Sequence, residues 1–341
     1  MADSPGVRAR WLGLIYLMTW LGCGWPALPG SPRHGPPGHD PPASVPGVAT
    51  SLMVLPDDGS DGVLAALAGA RRRAWVEMYL LTDGDAVDAL VAAHRAGADV
   101  RVLLEPAPYG GGDNQSAYLA LQQAGVDVRW FAVPGGLVHI KLLLIDEAAW
   151  VLTPNLTSAG LTRNREYVAV DLDAGDVARA EAVFTADAAG RPLAEDPSSR
   201  IVVSPLDARP RLAAAIDAAR TTLLLEIEEI SDADLLARLG VAHGRGVAVS
   251  VLVPAADRSA ATSAAVATLQ ADGIPVRALP SPTLHAKAMV MDATMAYVGS
   301  VNFTRASLDD NRELGLLLDD RGDVSRVAST ITGDWNGATA P

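Results

Sequence analysis

Apolar residues along this 341-residue chain gather in short runs separated by longer stretches of helical spacing, and the whole succession occurs twice. The first pass reads Leu52–Pro56, a helical stretch over 61–72, the run Trp75–Leu81, a helical stretch over 86–96, and Val100–Pro106. The second answers with Ile201–Pro205, a helix over 208–220, Leu223–Glu229, a helix over 232–245, and Val249–Pro254. Brief runs rich in Val, Leu and Ile that alternate with longer helical ones predict βα units, with a sheet covered by helices. The correspondence extends to the punctuation, since His94-Arg-Ala-Gly97 and His243-Gly-Arg-Gly246 close matching helices. Gly past a helix end adopts the left-handed cap conformation and an imidazole there suits the helix dipole, so His94 and His243 are read as capping residues.

Each pass ends in one recurring segment. His139-Ile-Lys141 is followed by four apolar residues, Asp146, and a run to Thr153-Pro-Asn155; His285-Ala-Lys287 is followed by four, Asp292, and a run to Gly299-Ser300-Val-Asn302. The apolar runs predict a strand, then a second strand with an exit turn, over 150–155 and 297–302. Glu166–Val170 and Glu313–Leu317 close each pass as a further strand, and a last helix begins near Asp176 and Val324. Pro192 and Pro197 mark a boundary over 190–199, dividing the chain into halves at 50–190 and 200–338. The expected fold class is α/β, with two related βα halves, each a mixed sheet flanked by helices.

The recurring segment carries the chemistry. Side chains two apart on a strand share a face, so His139 points with Lys141 and His285 with Lys287. Taken singly, either histidine reads as an ordinary hydrogen-bonded core or surface residue. Lysines at both matching positions change that reading, because buried ammonium groups need an anion to share. Asn155 and Asn302 can add amide donors, Gly299 and Ser300 can bring backbone N–H groups close to an oxyanion, and Thr153 and Ser300 can offer hydroxyls. Glu77 and Glu226 correspond inside apolar strands and are read as lining the cleft or supporting its lysines, not as catalysts.

Both segments resemble the HxKxxxxD signature of the phospholipase D superfamily, with the family's GSxN continuation intact only in the second copy. The copies stand 146 residues apart, each followed by Asn and, eleven residues later, by Glu. The resemblance covers nearly everything after residue 50. It implies halves packed about a pseudo-twofold so that both HxK faces meet in one cleft, with no metal or cofactor required. One histidine attacks phosphorus while the other protonates the leaving alcohol and then activates water. By analogy with duplicated relatives, His139 is the nucleophile and His285 the acid. Lys141, Lys287, Asn155 and Asn302 would hold the phosphate, and Glu166 and Glu313 would orient the imidazoles. Asp146 and Asp292 would be structural or supporting groups. The first copy departs from the pattern: Leu152 stands where Gly is expected, Pro154 precedes Asn155, and the Asp-to-Asn spacing is one residue shorter. A differently shaped phosphate pocket is the expected consequence.

The N-terminus adds a location. Arg8 and Arg10 precede an apolar run from Trp11 to Leu21 that is too short to span a bilayer comfortably and ends in Gly22-Cys23-Gly24, which predicts an export signal over 1–23. Cys23 resembles the lipidated cysteine of bacterial lipoproteins, although Trp20 replaces the usual Leu; cleaved secretion is the first alternative, and an uncleaved anchor or a mis-called start the second. Residues 24–49 are too dense in Pro and Gly to pack and read as a tether, with His34 and His39 as solvated linker residues. As the only cysteine, Cys23 cannot form a disulfide within the chain.

A net charge of −13 supplies no field to gather a polyanion, so nucleic acid is the weaker expectation. The expected protein is an exported monomer, membrane-anchored or secreted, that hydrolyses a phospholipid headgroup diester to phosphatidic acid and an alcohol. The alternatives are a secreted endonuclease, a cardiolipin synthase-like phosphatidyltransferase, and an inactive phosphate- or lipid-binding lipoprotein. Arg163, Arg165 and Arg305 lie near the motifs and would contact nucleic acid or lipid phosphates.

Overall fold

The computed structural model describes residues 51–109 and 112–341. The leader, Cys23 and the Pro/Gly-rich tract lie outside the described residues. In the first half the elements run β1 (Ser51–Leu55), α1 (Asp61–Ala68), β2 (Arg73–Met78), α2 (Gly84–Arg95), β3 (Asp99–Leu104), α3 (Gln115–Gln123), β4 (Asp127–Trp130), β5 (Lys141–Ile145), β6 (Ala148–Leu152), α4 (Ser158–Thr162), β7 (Asn164–Asp171) and α5 (Ala174–Ala188). The second half repeats them as β8 (Ile201–Ser204), α6 (Ala208–Ala218), β9 (Thr222–Ile227), α7 (Ala233–Gly244), β10 (Ala248–Pro254), α8 (Ala260–Ala271), β11 (Val276–Leu279), β12 (Thr283–Leu284), β13 (Lys287–Met291), β14 (Met295–Gly299), α9 (Arg305–Asp309), β15 (Glu313–Leu318) and α10 (Arg321–Gly337). The helix–strand pairs α3–β4 and α8–β11 are additions to the elements expected from the hydrophobic pattern.

The strand order is β1-β7-β6-β5-β2-β3-β4 in one sheet and β11-β10-β9-β13-β14-β15-β8 in the other, the same order read from opposite ends. In each sheet the βαβ strands pair in parallel, while the hairpin bearing the recurring segment joins antiparallel, giving the expected mixed sheets. The motif strands β5 and β13 are buried along their whole length, and successive side chains serve different cores. Leu142 and Leu144 join Ala288 and Val290 in a cluster shared by both sheets, whereas Leu143 and Ile145, and Met289 and Met291, face the separate outer core of their own half. A strand covered on both faces reads as a continuous apolar run, and this is why the segment lacks alternation. Helices α5 and α10 also enter the shared layer, through Val183 and Phe184 and through Val324 and Val327. The halves divided at 190–199 are therefore parts of one folded unit.

Asp146 and Asp292 sit in the turns that follow β5 and β13, with φ of 51° and 52°. The Asp146 carboxylate accepts from the N–H groups of Arg71, Arg72 and Arg73, and Asp292 from those of Arg220, Thr221 and Thr222. Desolvation would raise the pKa of Asp292, but these donors bring it down to about 2. Four residues of strand separate each Asp from its Lys, a span of about 16 Å. Both aspartates thus pin a hairpin to the strand beside it.

Glu77 and Glu226 point into the join between halves. Glu226 accepts from the Tyr167 hydroxyl at 2.5 Å, and Glu77 lies fully buried beside the Asp187–Arg312 pair. Desolvation, reinforced for Glu77 by Asp187, raises the pKa of both carboxyls well above the ordinary 4.5. An acid so shifted favours the fold at low pH and loses that contribution as pH rises above its unfolded value. Glu77→Gln, neutral throughout, should therefore match the parent near pH 4 and melt higher at pH 8. A gain of about 1 kcal/mol or more, roughly 2–4 °C, would be read by thermal denaturation at both pH values; an unchanged margin would remove Glu77 as the titrating group.

Candidate active site

His139 and His285 stand one residue before the buried anchors Ile140 and Ala286, and Lys141 and Lys287 open the motif strands. The backbone at each histidine is held by the opposite half. His139 N donates to Arg312 O at 2.9 Å, and Arg312 N returns to Leu137 O at 2.9 Å. In the mirrored arrangement β12 pairs in parallel with β7, Leu284 beside Arg165, and His285 N donates to Arg165 O at 3.4 Å.

The side chains cross in the same way. His139 Nδ1 lies 2.8 Å from Glu313 Oε2, and His285 Nδ1 lies 2.7 Å from Glu166 Oε1. Each glutamate thus orients the histidine of the other copy. A carboxylate can only accept, so Nδ1 carries the proton and Nε2 is left for chemistry. Thr153 Oγ1 donates to Glu166 at 2.5 Å, while Asn164 and Asn311 turn their amides to Glu166 and Glu313 at 3.4 and 3.3 Å. These two asparagines were not singled out from the sequence; their place two residues before each Glu was the available signal.

Several expected phosphate ligands have other duties. Thr153 also accepts Tyr167 N–H, and Ser300 Oγ accepts Leu314 N–H while Ser300 N donates to Leu314 O. Both side chains are fully buried and engaged within the protein, so their expected phosphate role is replaced here by support of the glutamate strands. Gly299 is required by packing: a Cβ would lie 2.3 Å from Gly315 Cα and 2.7 Å from the Tyr297 hydroxyl. In the first half Leu152 faces Val168 instead, so its departure from the motif is a repacked strand pair and not a reshaped pocket. The missing residue of spacing falls in the hairpin turn, 146–147 against 292–294, at the far end of the strand.

The remaining groups do converge. Lys141 Nζ donates to His139 O at 2.8 Å, and Lys287 Nζ to His285 O at 2.6 Å. Tyr79 sets its ring edge-on to His139 at 4.7 Å, with Lys141 Nζ 5.3 Å from the ring centre. Burial and the charge of Lys287 bring the Lys141 pKa down to about 7, against the pull of Glu313, Glu228 and Glu166. Burial, with the charge of Lys141, also lowers His139 despite Glu313. Burial would raise Glu313, but the His139 charge and hydrogen bond hold it below its ordinary value. Groups from both halves therefore share one electrostatic site. Asn302 Nδ2 lies 3.4 Å from Glu228, whereas Asn155 keeps a buried Oδ1 without a partner. Arg165 is buried against Asp334 and Asp57, Arg305 pairs at the surface with Asp310, and Arg163 is exposed, so the three do not form one track. No cluster of His, Cys, Asp or Glu suited to a metal ion occurs among the described residues.

A family model described as "Cardiolipin synthase, PLD-like domain" matches residues 63–188 and again 212–335, well over half of the chain. The chain belongs to the phospholipase D superfamily. Among its relatives, cardiolipin synthase A of Pectobacterium carotovorum is 35% identical over 99 residues, which are 28% of this chain and 20% of the synthase. Cardiolipin synthase A of Escherichia coli O157:H7 is 36% identical over 93 residues, 26% of this chain and 19% of that one. The matched region thus spans about a fifth of those synthases. The phosphatidylserine synthase of Haemophilus influenzae superposes with a TM-score of 0.61 at 13% identity, covering 84% of this chain and 85% of that one. A polyphosphate kinase from Porphyromonas gingivalis gives 0.65 at 17% identity over 84% of this chain and 50% of its own. At such identities these structures speak for the fold alone, which is that of the phospholipase D superfamily.

Two measurements check the geometry of this phospholipase D-like site. Glu313→Gln should remove the low-field Nδ1–H proton resonance of His139 and leave that of His285, with Glu166→Gln doing the reverse; loss from the histidine of the same half would refute the crossed pairing. Because Lys141 sheds its proton near pH 7, sulfate affinity should fall as pH rises from 6.5 to 8.5, by up to about tenfold per unit above the pKa. Calorimetry would show proton uptake on binding at pH 8, absent in Lys141→Met.

Proposed function

We propose that this protein cleaves a phospholipid headgroup diester through a phosphohistidine on His139, with His285 as the acid and then the base. The observation that carries this reading is the crossed pairing, which leaves the Nε2 atoms of both imidazoles for reaction beside two buried ammonium groups. His139, lowered in pKa and backed by Tyr79, suits attack as a neutral ring. His285 is held through Nδ1 by Glu166 at 2.7 Å, with Glu228 Oε1 3.6 Å from its Nε2, and takes the acid role that remains once His139 is the nucleophile.

In the first step His139 Nε2 forms a bond to phosphorus as the phosphorus–oxygen bond to the alcohol breaks and His285 gives that oxygen its proton. In the second, His285 takes a proton from water or an alcohol, whose oxygen displaces His139. Water yields phosphatidic acid; an alcohol yields a new diester. Lys141 and Lys287 meet the negative charge of the phosphoryl oxygens throughout, with Asn155 and Asn302 as further candidates. The likeness to cardiolipin synthases favours the alcohol as acceptor, so phosphatidyl transfer is the second reading. An export signal with a lipidated Cys23, the expectation read from the sequence, would bring the site to a membrane surface, and the net charge disfavours nucleic acid.

The test is turnover of phosphatidylcholine and single-stranded DNA in parallel, with chelator, with and without added glycerol. Lipid turnover should fall by about 10³-fold or more in both His139→Ala and His285→Ala. Faster cleavage of DNA than of lipid would reverse the substrate assignment, and retained activity in either variant would refute the shared mechanism.

A further inference from the structure

One difference between the two halves lies inside the site. Met78 pairs with Lys141 and Ile227 with Lys287, so the next residues, Tyr79 and Glu228, are equivalent. Their N–H groups confirm the register, donating to Ile140 O and Ala286 O at 3.1 and 3.0 Å. Where Tyr79 offers a neutral ring to His139 and Lys141, Glu228 offers a carboxylate to His285 and Lys287. Its Oε2 lies 2.6 Å from Lys287 Nζ and 3.4 Å from Asn302 Nδ2, and its Oε1 lies 3.6 Å from His285 Nε2. These are the three groups that the second copy would turn toward a phosphate. The aim of Asn302 is set by its Oδ1, which accepts Glu229 N–H at 3.1 Å. Burial would raise the Glu228 pKa, but the charges of His285 and Lys287 hold it far below the ordinary carboxylate range. With its side chain 29% exposed, the carboxylate faces whatever enters.

We propose that Glu228 is a specificity-determining residue, an internal anion that admits a singly charged phosphodiester and turns away doubly charged phosphate species. The proposal rests on the reading of the site as a phosphodiester clamp. A monoanion can place its charge on the Lys141 side, where a Tyr79 ring and not a carboxylate stands at the position equivalent to Glu228, while Glu228 keeps hold of Lys287. A dianion must bring its second charge against Glu228 itself, and like charges a few ångströms apart in a poorly solvated site repel strongly. Free phosphate in its doubly charged form is excluded by the same means. A phosphomonoester product, which gains a second charge as it titrates, is expelled after hydrolysis.

Calorimetry at pH 6.5 on the full chain separates the outcomes, with sulfate as the dianion and dimethyl phosphate as the monoanionic diester. Glu228→Gln should tighten sulfate at least tenfold and change dimethyl phosphate by less than threefold. Equal change for both anions, or none for sulfate, overturns the proposal. Glu228→Tyr, which copies the first half, carries the same expectation should the glutamine variant be unstable. Sulfate should also raise the melting temperature of either variant more than that of the parent. Lys141→Met tests the clamp separately. If it leaves both anions unaffected the phosphodiester reading fails; if it weakens both while Glu228→Gln does not discriminate, only the role of Glu228 fails.

Discussion

Two buried histidine–glutamate hydrogen bonds, each running from one half of the chain to the other, are the constraint on which the rest of this structure depends. An imidazole can serve as a nucleophile or an acid only if one nitrogen is held while the other is left for reaction. Here the holding group for each copy is supplied by its counterpart, so neither half contains a complete site. The sheets must therefore pack face to face with their motif strands in register, and the shared core of Leu142, Leu144, Ala288 and Val290 provides the surface that does this. The backbone links at Arg312–His139 and Arg165–His285 repeat the crossing at the chain level.

The same packing creates an electrostatic difficulty. Two lysines and two histidines are brought together away from water, and each ammonium raises the cost of the other. The halves resolve this differently. Lys287 is paired with Glu228 and keeps company with Asn302, while Lys141 rests on a carbonyl and beneath the Tyr79 ring, with its pKa brought down to about 7. A duplicated fold thus carries an unsymmetrical site. Away from the site, Arg165 and Arg312 are neutralised across the join by Asp334 and Asp187, the corresponding residues of α10 and α5.

Much of the architecture was legible in the residues. The duplicated order of runs, the position of the hairpin after each motif strand, and the common face of His and Lys all follow from strand and helix periodicities, which act over a few residues. The additional helix–strand pairs were missed because 107–136 and 255–284 carry weaker apolar patterning, with few of the Val and Leu runs that mark the buried strands. The unusual Leu152 was visible but misleading. Its meaning depends on Val168 across the ladder, where Gly299 instead meets Gly315, and that pairing is not a local property.

The sequence by itself determined which side chains are available for chemistry and that they come in two sets. Only the tertiary structure decided how the sets combine. That Glu313 serves His139 over a separation of 174 residues, that Thr153 is spent on Glu166, and that Glu228 enters the site while Glu226, two residues earlier on the same strand run, is directed into the join between halves are results of sheet packing. The physical reason is range: periodicity assigns a side chain to a face, but the partner it meets there is set by the surface that another, distant segment brings against it.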